Sequence, residues 1–141
     1  MRNRVELNIP EDGIFTFKVK AGQTVKVGEL VEITGDFEVQ RASADSKKVF
    51  GVVYSGTVAI DGVNVGYQGD KGDSVSIAFK GLLYVIAGGT IVAGDKVKAG
   101  ANGAAVKQVA TATYVADEEK QVVGTALTGA TSGNKFIVAL G

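Results

Sequence analysis

The chain has 141 residues, balances fifteen basic against fifteen acidic side chains, and contains neither cysteine nor histidine. Missing cysteine excludes disulfides, thiol catalysis and the usual structural zinc sites, and missing histidine removes the commonest metal ligand and the side chain best suited to proton transfer near neutral pH. A formal net charge of zero argues against nucleic acid as the main partner, because phosphate binding needs a concentrated positive field.

Twenty glycines against one proline, in a chain that is 45% hydrophobic and alternates apolar with polar residues, predict an all-β fold: a compact barrel or sandwich of short strands joined by tight turns. Residues 1–10 read as a short N-terminal arm that closes at Ile9-Pro10, and residues 11–141 as one domain. From Ile14 to Lys20 the period is two, which places Phe15, Phe17 and Val19 on the face expected to enter the core. Turns at Gly22 and at Gly28-Glu29 lead to a strand at 30–34, and Gly35-Asp36 marks a hairpin tip before a strand at 37–41. Residues 44–48 are polar and too few for an ordinary helix, so they form a turn that delivers the apolar run 49–54. There alternation fails, which fits a strand covered on both faces or one whose outer face meets another subunit. The glycine-rich stretch 61–72 reads as an exposed loop, and the apolar segment 74–86 follows it, with Gly81 as a bulge between two strands. Extended segments at 91–92, 97–99 and 106–114, and a paired terminal strand at 135–140, complete the plan.

The plan is written twice. The segment from Ala21 to Val31 reads A-G-Q-T-V-K-V-G-E-L-V, and that from Ala87 to Val97 reads A-G-G-T-I-V-A-G-D-K-V. Residues 45–51 align with 118–124, and residues 72–79 with 133–140, so three pieces recur in one order at steps of about 66, 73 and 61 residues. The expected architecture is therefore two related halves, about 21–79 and 87–140, with the second carrying some seven extra residues around 99–103 and lacking about twelve near 61–69. Two copies are too few for a solenoid, which needs at least about three stacked units.

None of the motifs carries a reaction. The repeated glycines lack the G-x-x-x-x-G-K-[ST] and the following helix that a phosphate cradle needs, so they read as turn punctuation. Asp61, Asp70 and Asp73 lie close in sequence without the spacing of a calcium loop, and Ser55 has no histidine to activate it. The expectation is a non-enzyme with no cofactor and no metal. No stretch approaches the roughly 18 consecutive apolar residues of a membrane span. The two arginines near the start have no apolar run behind them, so no secretory signal is expected either. These features predict a soluble chain made in a cytoplasm, without a membrane partner. The phrase around Gly28-Glu29 is also similar to biotinyl and lipoyl carrier domains, although Asp95-Lys96-Val97 lacks the surroundings of their acceptor lysine.

The repeated A-G-x-T-x-x-x-G-[DE]-x-V, the D-x-K-x-V-x-G-V piece at Asp45 to Val52 and the G-D-x-V-x-I-A piece at Gly72 to Ala78 together resemble small capsid decoration (cement) proteins of tailed bacteriophages. The resemblance covers most of the chain from Ala21 onward. It implies a structural virion protein that binds the major capsid protein on the outer surface of the head, often as a trimer, and stabilises the shell by bridging capsomers. On the residues alone, Arg2, Asn3, Arg4, Val5 and Leu7 read as a capsid-binding arm, since Val5 and Leu7 alternate with polar residues like a strand seeking an edge. Val49, Phe50, Val52, Tyr54, Leu82 and Tyr84 are the expected subunit interface, because their two runs hold more apolar surface than one small barrel should leave in water.

Overall fold

The computed structural model describes residues 6–8, 13–57, 60–109 and 118–140. The first strand, β1 (Glu6–Asn8), precedes a first half made of β2 (Ile14–Val19), β3 (Thr24–Val25), β4 (Leu30–Gly35), β5 (Glu38–Arg41), β6 (Val49–Gly56), β7 (Tyr67–Gln68) and β8 (Ser74–Ala78). A second half follows with β9 (Gly81–Ile86), β10 (Lys96–Ala99), β11 (Ala105–Lys107), β12 (Val122–Ala126) and β13 (Lys135–Leu140). The fold is all-β, and the helical pieces among the described residues are single 3₁₀ turns. In the first half β2-β5-β4-β6-β8 close into a barrel, with β3 and β7 as a separate ribbon; in the second, β1-β9-β13-β12-β10-β11 form a six-stranded sheet. An isolated parallel bridge between Ala87 and Ala105 brings the chain just after β9 against β11.

Strand register shows how closely the halves correspond. In the first, Leu30 and Val31 pair with Val52 and Gly51, and a bulge then brings Glu32 opposite Val49. In the second, Lys96 and Val97 pair with Thr125 and Gly124, and a bulge brings Lys98 opposite Val122. Val52 and Val53 pair with Ala78 and Ile77, as Thr125 and Ala126 pair with Ala139 and Val138. These partners are separated by the steps of 66, 73 and 61 residues visible in the sequence. The correspondence also begins earlier than the sequence repeat. Phe17 opposes Val75 as Val85 opposes Phe136, so β9 is the counterpart of β2.

Three expectations change as a result. Gly81 is not a bulge within one sheet: it has φ +111° and sits where the chain leaves the barrel strand β8 and starts β9 of the other sheet. The seven extra residues do not lie around 99–103, because Val97 pairs with Lys107 as Val31 pairs with Arg41, so the 66-residue step holds through Lys107 and the insertion falls between Lys107 and Val122. Phe15 does not enter the core and is 56% exposed, while Phe17 and Val19 on the same face are buried. The barrel interior holds Phe17, Val19, Val25, Val31, Val39, Val53, Val75 and Ile77 around Tyr67, and Phe15 lies beyond that layer.

The repeated glycine-acid pair now has a structural cause. Gly28 and Gly94 adopt φ +90° and +95°, a conformation that favours glycine. The acid after each one closes the turn: Glu29 accepts the Lys26 N–H at 2.8 Å, and Asp95 accepts the Val92 N–H at 2.9 Å. Each also meets a cation on the strand paired with the one it precedes, Glu29 with Arg41 at 2.8 Å and Asp95 with Lys107 at 3.6 Å. The valine two positions on, Val31 or Val97, is fully buried. The longer first-half loop has a cause too, since it folds over Tyr67. Cβ atoms placed on Gly56 and Gly62 would lie 2.6 and 2.5 Å from that ring. In the second half Ala130, bridged to Ile91 as Tyr67 pairs with Val25, stands at the corresponding point.

One carboxylate ties the 42–48 turn to the barrel. Burial pushes the Glu32 carboxyl up, but hydrogen bonds from the Ser43 N–H, Gln40 and Ser46, with the charge of Lys48, outweigh it and hold the group below its ordinary value of 4.5. A carboxyl depressed on folding contributes stability above its unfolded value, and that contribution is lost as pH falls through the folded value. The melting temperature should therefore hold level from neutral pH down to about 5 and fall below 4.5. Thermal scans of Glu32→Gln should show a lower neutral-pH melting temperature and a shallower acid decline; an unchanged decline would remove Glu32 from this role.

Candidate interaction surface

Five of the six phenylalanines form one ladder on the first half. Phe15 and Phe79 have ring centroids 6.2 Å apart, Phe79 and Phe50 5.0 Å, Phe50 and Phe17 5.1 Å, and Phe17 and Phe37 5.6 Å. All four contacts are tilted, a favourable geometry for aromatic pairs. Alternation along β2 supplies Phe15 and Phe17, the tip after β4 supplies Phe37, β6 supplies Phe50, and Phe79 follows β8. Phe17 roots the ladder in the barrel, whereas Phe15 and Phe37 at its two ends are 56% and 64% exposed. The Lys80 ammonium lies 5.9 Å from the Phe79 ring, and Lys18 reaches Glu38 at 4.0 Å near Phe37.

The ladder runs into a groove of about 120 Å³ at the seam between the halves, with Val49, Phe50 and Phe79 on one side and Val122, Val123 and Leu140 on the other. Beside it, Leu30, Ala42, Val52 and Ala78 on the outside of the barrel are buried against second-half residues that include Leu83 and Val138.

Of the residues expected at a subunit interface, Val49 and Phe50 come together in this groove. Val52 does not qualify: it is fully buried in the joint between the halves, so its apolar surface is already used within the chain. Tyr54 is half-buried and packs on that same core. Leu82 and Tyr84 are half-buried on β9, opposite Ala139 and Ile137, on the face turned away from buried Leu83 and Val85. Leu7 lies in β1, which pairs with β9 through Glu6–Leu83 and Asn8–Leu82, so this strand finds its partner within the chain. Arg2, Asn3, Arg4 and Val5 lie outside the described residues. Sequence reasoning missed Phe15, Phe37 and Phe79; a phenylalanine directly after the turn pair Gly35-Asp36 was the available signal.

Elsewhere, the described loop carboxylates serve local turns. Asp61 accepts the Val63 and Asn64 N–H groups and the Asn64 amide, bonds that hold its carboxyl below the usual range. Asp70 accepts the Gly22 N–H at 2.8 Å and Asp73 the Gln68 N–H at 2.7 Å, so all three carboxylates brace separate turns. No group of three metal-ligating side chains occurs among the described residues. Lys96, the lysine nearest to a carrier motif, begins strand β10 and donates to the Thr125 hydroxyl at 2.8 Å instead of standing on a hairpin tip.

No protein family and no curated protein matches the chain. Among solved structures it is similar to the N base of head fiber gp8.5 of bacteriophage phi29, with 26% sequence identity and a TM-score of 0.56 over 91% of this chain and 92% of that one.

Proposed function

We propose that the chain is a structural protein of a bacteriophage head that binds the outer capsid surface, contacts the major capsid protein and stabilises the shell by bridging capsomers. The observation that carries this reading is the likeness to the phi29 head fiber base, which spans nearly all of both chains. The role is mechanical: a rigid double β scaffold needs no reacting group, and many copies on a repeating lattice supply the avidity that one contact lacks. In this reading the protein resides in the virion as a homo-oligomer, with a trimer favoured. Arg2, Asn3, Arg4 and Val5, together with Leu7 of the edge strand β1, belong to the capsid contact. Quantitative mass spectrometry of purified virions tests the proposal. The chain should be present as an abundant component in fixed ratio to the major capsid protein, and its absence from virions would overturn the reading.

A further inference from the structure

The joint between the halves shows how one end of this β module packs. In the second half the counterparts of Phe15, Phe37, Phe50 and Phe79 are Leu83, Gly103, Val123 and Leu140, by the same register that relates the strands. Each of these is seated at the joint. Leu83 is fully buried, and a Cβ on Gly103 would lie 3.0 Å from both Arg41 Cγ and Glu29 Cβ of the first half. Val123 and Leu140 pack on the core they share with Leu30, Ala42, Val52 and Ala78. The equivalent end of the first half carries four phenylalanines, and its outermost rings are open.

Phe37 breaks two local rules at once. It holds φ +50°, where its counterpart Gly103 holds +73°, and it is 64% exposed. A large side chain in the left-handed region, directed into water, gains little within its own chain beyond one ring contact. Residues of this kind gather at functional surfaces.

We infer that the aromatic end of the first half is a contact surface for a second copy of this chain. In the internal joint the equivalent end packs on the flank of the other half, whereas between two copies the aromatic ends meet each other. Around the rim stand Lys18 and Lys80 together with Asp36 and Glu38, so two copies, each of zero formal charge, meet without repulsion. The contact closes instead of propagating. The second-half positions equivalent to Leu30, Ala42 and Val52 are Lys96, Gln108 and Thr125, a polar wall that does not repeat the internal joint. The inference names the surface of the self-association proposed above and is independent of where the assembly binds.

Sedimentation of the full chain across a concentration series tests it, because self-association is read without any phage component. The wild type should approach a small multiple of 14.5 kDa, and Phe15→Ser/Phe37→Ser should stay at 14.5 kDa with its fold intact by circular dichroism. Val92→Ser, at an equally exposed apolar residue of the other half, should sediment as the wild type does. Phe37→Gly places the second-half residue at this positive φ and keeps the fold in any case; it should weaken association by roughly tenfold or more. Because the chain has no cysteine, Phe37→Cys gives a single thiol, whose alkylation should slow as concentration rises, while Val92→Cys reacts at one rate throughout. A wild type that is monomeric at every concentration overturns the inference and assigns the face to a different protein, such as a head subunit. An oligomer unaffected by Phe37→Gly and by the double serine variant overturns it as well.

Discussion

Replacing Gly51 or Gly124 by alanine should destabilise the protein by about 2–4 kcal/mol, and by similar amounts at the two sites. Neither glycine has positive φ, so the requirement is for space. A Cβ on Gly51 would lie 2.3 Å from the Ala78 carbonyl oxygen and 2.9 Å from Ile77 Cγ2. On Gly124 it would lie 2.3 Å from the Ala139 carbonyl oxygen and 3.0 Å from Val138 Cγ2. The obstructing oxygens belong to the backbone of β8 and β13, which are held by strand pairing on both sides and cannot swing away as a flexible side chain would. Equal losses are expected because the two environments are copies of one another. Gly89→Ala is the control, since nothing lies within 4 Å of its Cβ position, and its effect should stay within about 0.5 kcal/mol. Denaturant unfolding decides the matter; a loss below about 1 kcal/mol at Gly51 would mean that β6 can move off β8 at little cost.

The second large effect comes from one cross-strand pair that the halves fill in opposite order. Phe17 of β2 faces Val75 of β8, whereas Val85 of β9 faces Phe136 of β13, and all four are buried. Each half therefore holds one ring and one valine at the same place in its interior. Phe136→Val should cost about 2–3 kcal/mol through lost burial and the cavity left behind, and Val85→Phe about 1–3 kcal/mol through overpacking. Combined, they convert the second half to the order of the first and conserve volume, so the double variant should recover to within about 1.5 kcal/mol of the wild type. The four proteins make a double-mutant cycle in which favourable coupling is expected. Additive losses would show that the interiors are not interchangeable at this pair and that the likeness of the halves stops at the backbone.

These two expectations rest on a match of strand register between the halves that was partly written in the residues. The turn signature survived in both copies because it is chemically demanding: a positive φ needs glycine at 28 and 94, and the next residue must bring a carboxylate back to the turn N–H. The equivalence of β2 and β9 was not legible, because F-T-F-K-V at 15–19 and L-Y-V-I-A at 83–87 share no residue and conserve only the buried positions. Equally hidden was the exit from barrel to sheet near Gly81, since a largely apolar stretch from Ser74 to Ile86 looks the same whether its two strands pair with each other or not.

The candidate surface was legible in part for a related reason. The apolar run at 49–54 was visible as more than one small core should need, and Val49 and Phe50 do line the groove. Alternation within such a run cannot separate residues that face a sister half from those that face water, so Val52 read like its neighbours although the joint seals it. Phe15 misled in the other direction. Period two places it with Phe17, and only the depth of the barrel interior decides that one ring is inside and the other out.

Electron cryo-microscopy of heads purified without the chain tests most directly the proposal that this double β scaffold stands on the outside of a phage head. Adding the purified protein should produce new density on the outer surface at regular lattice positions, into which the barrel and the six-stranded sheet fit as one body. Heads that remain bare at saturating protein, with the chain left in the supernatant, would contradict it.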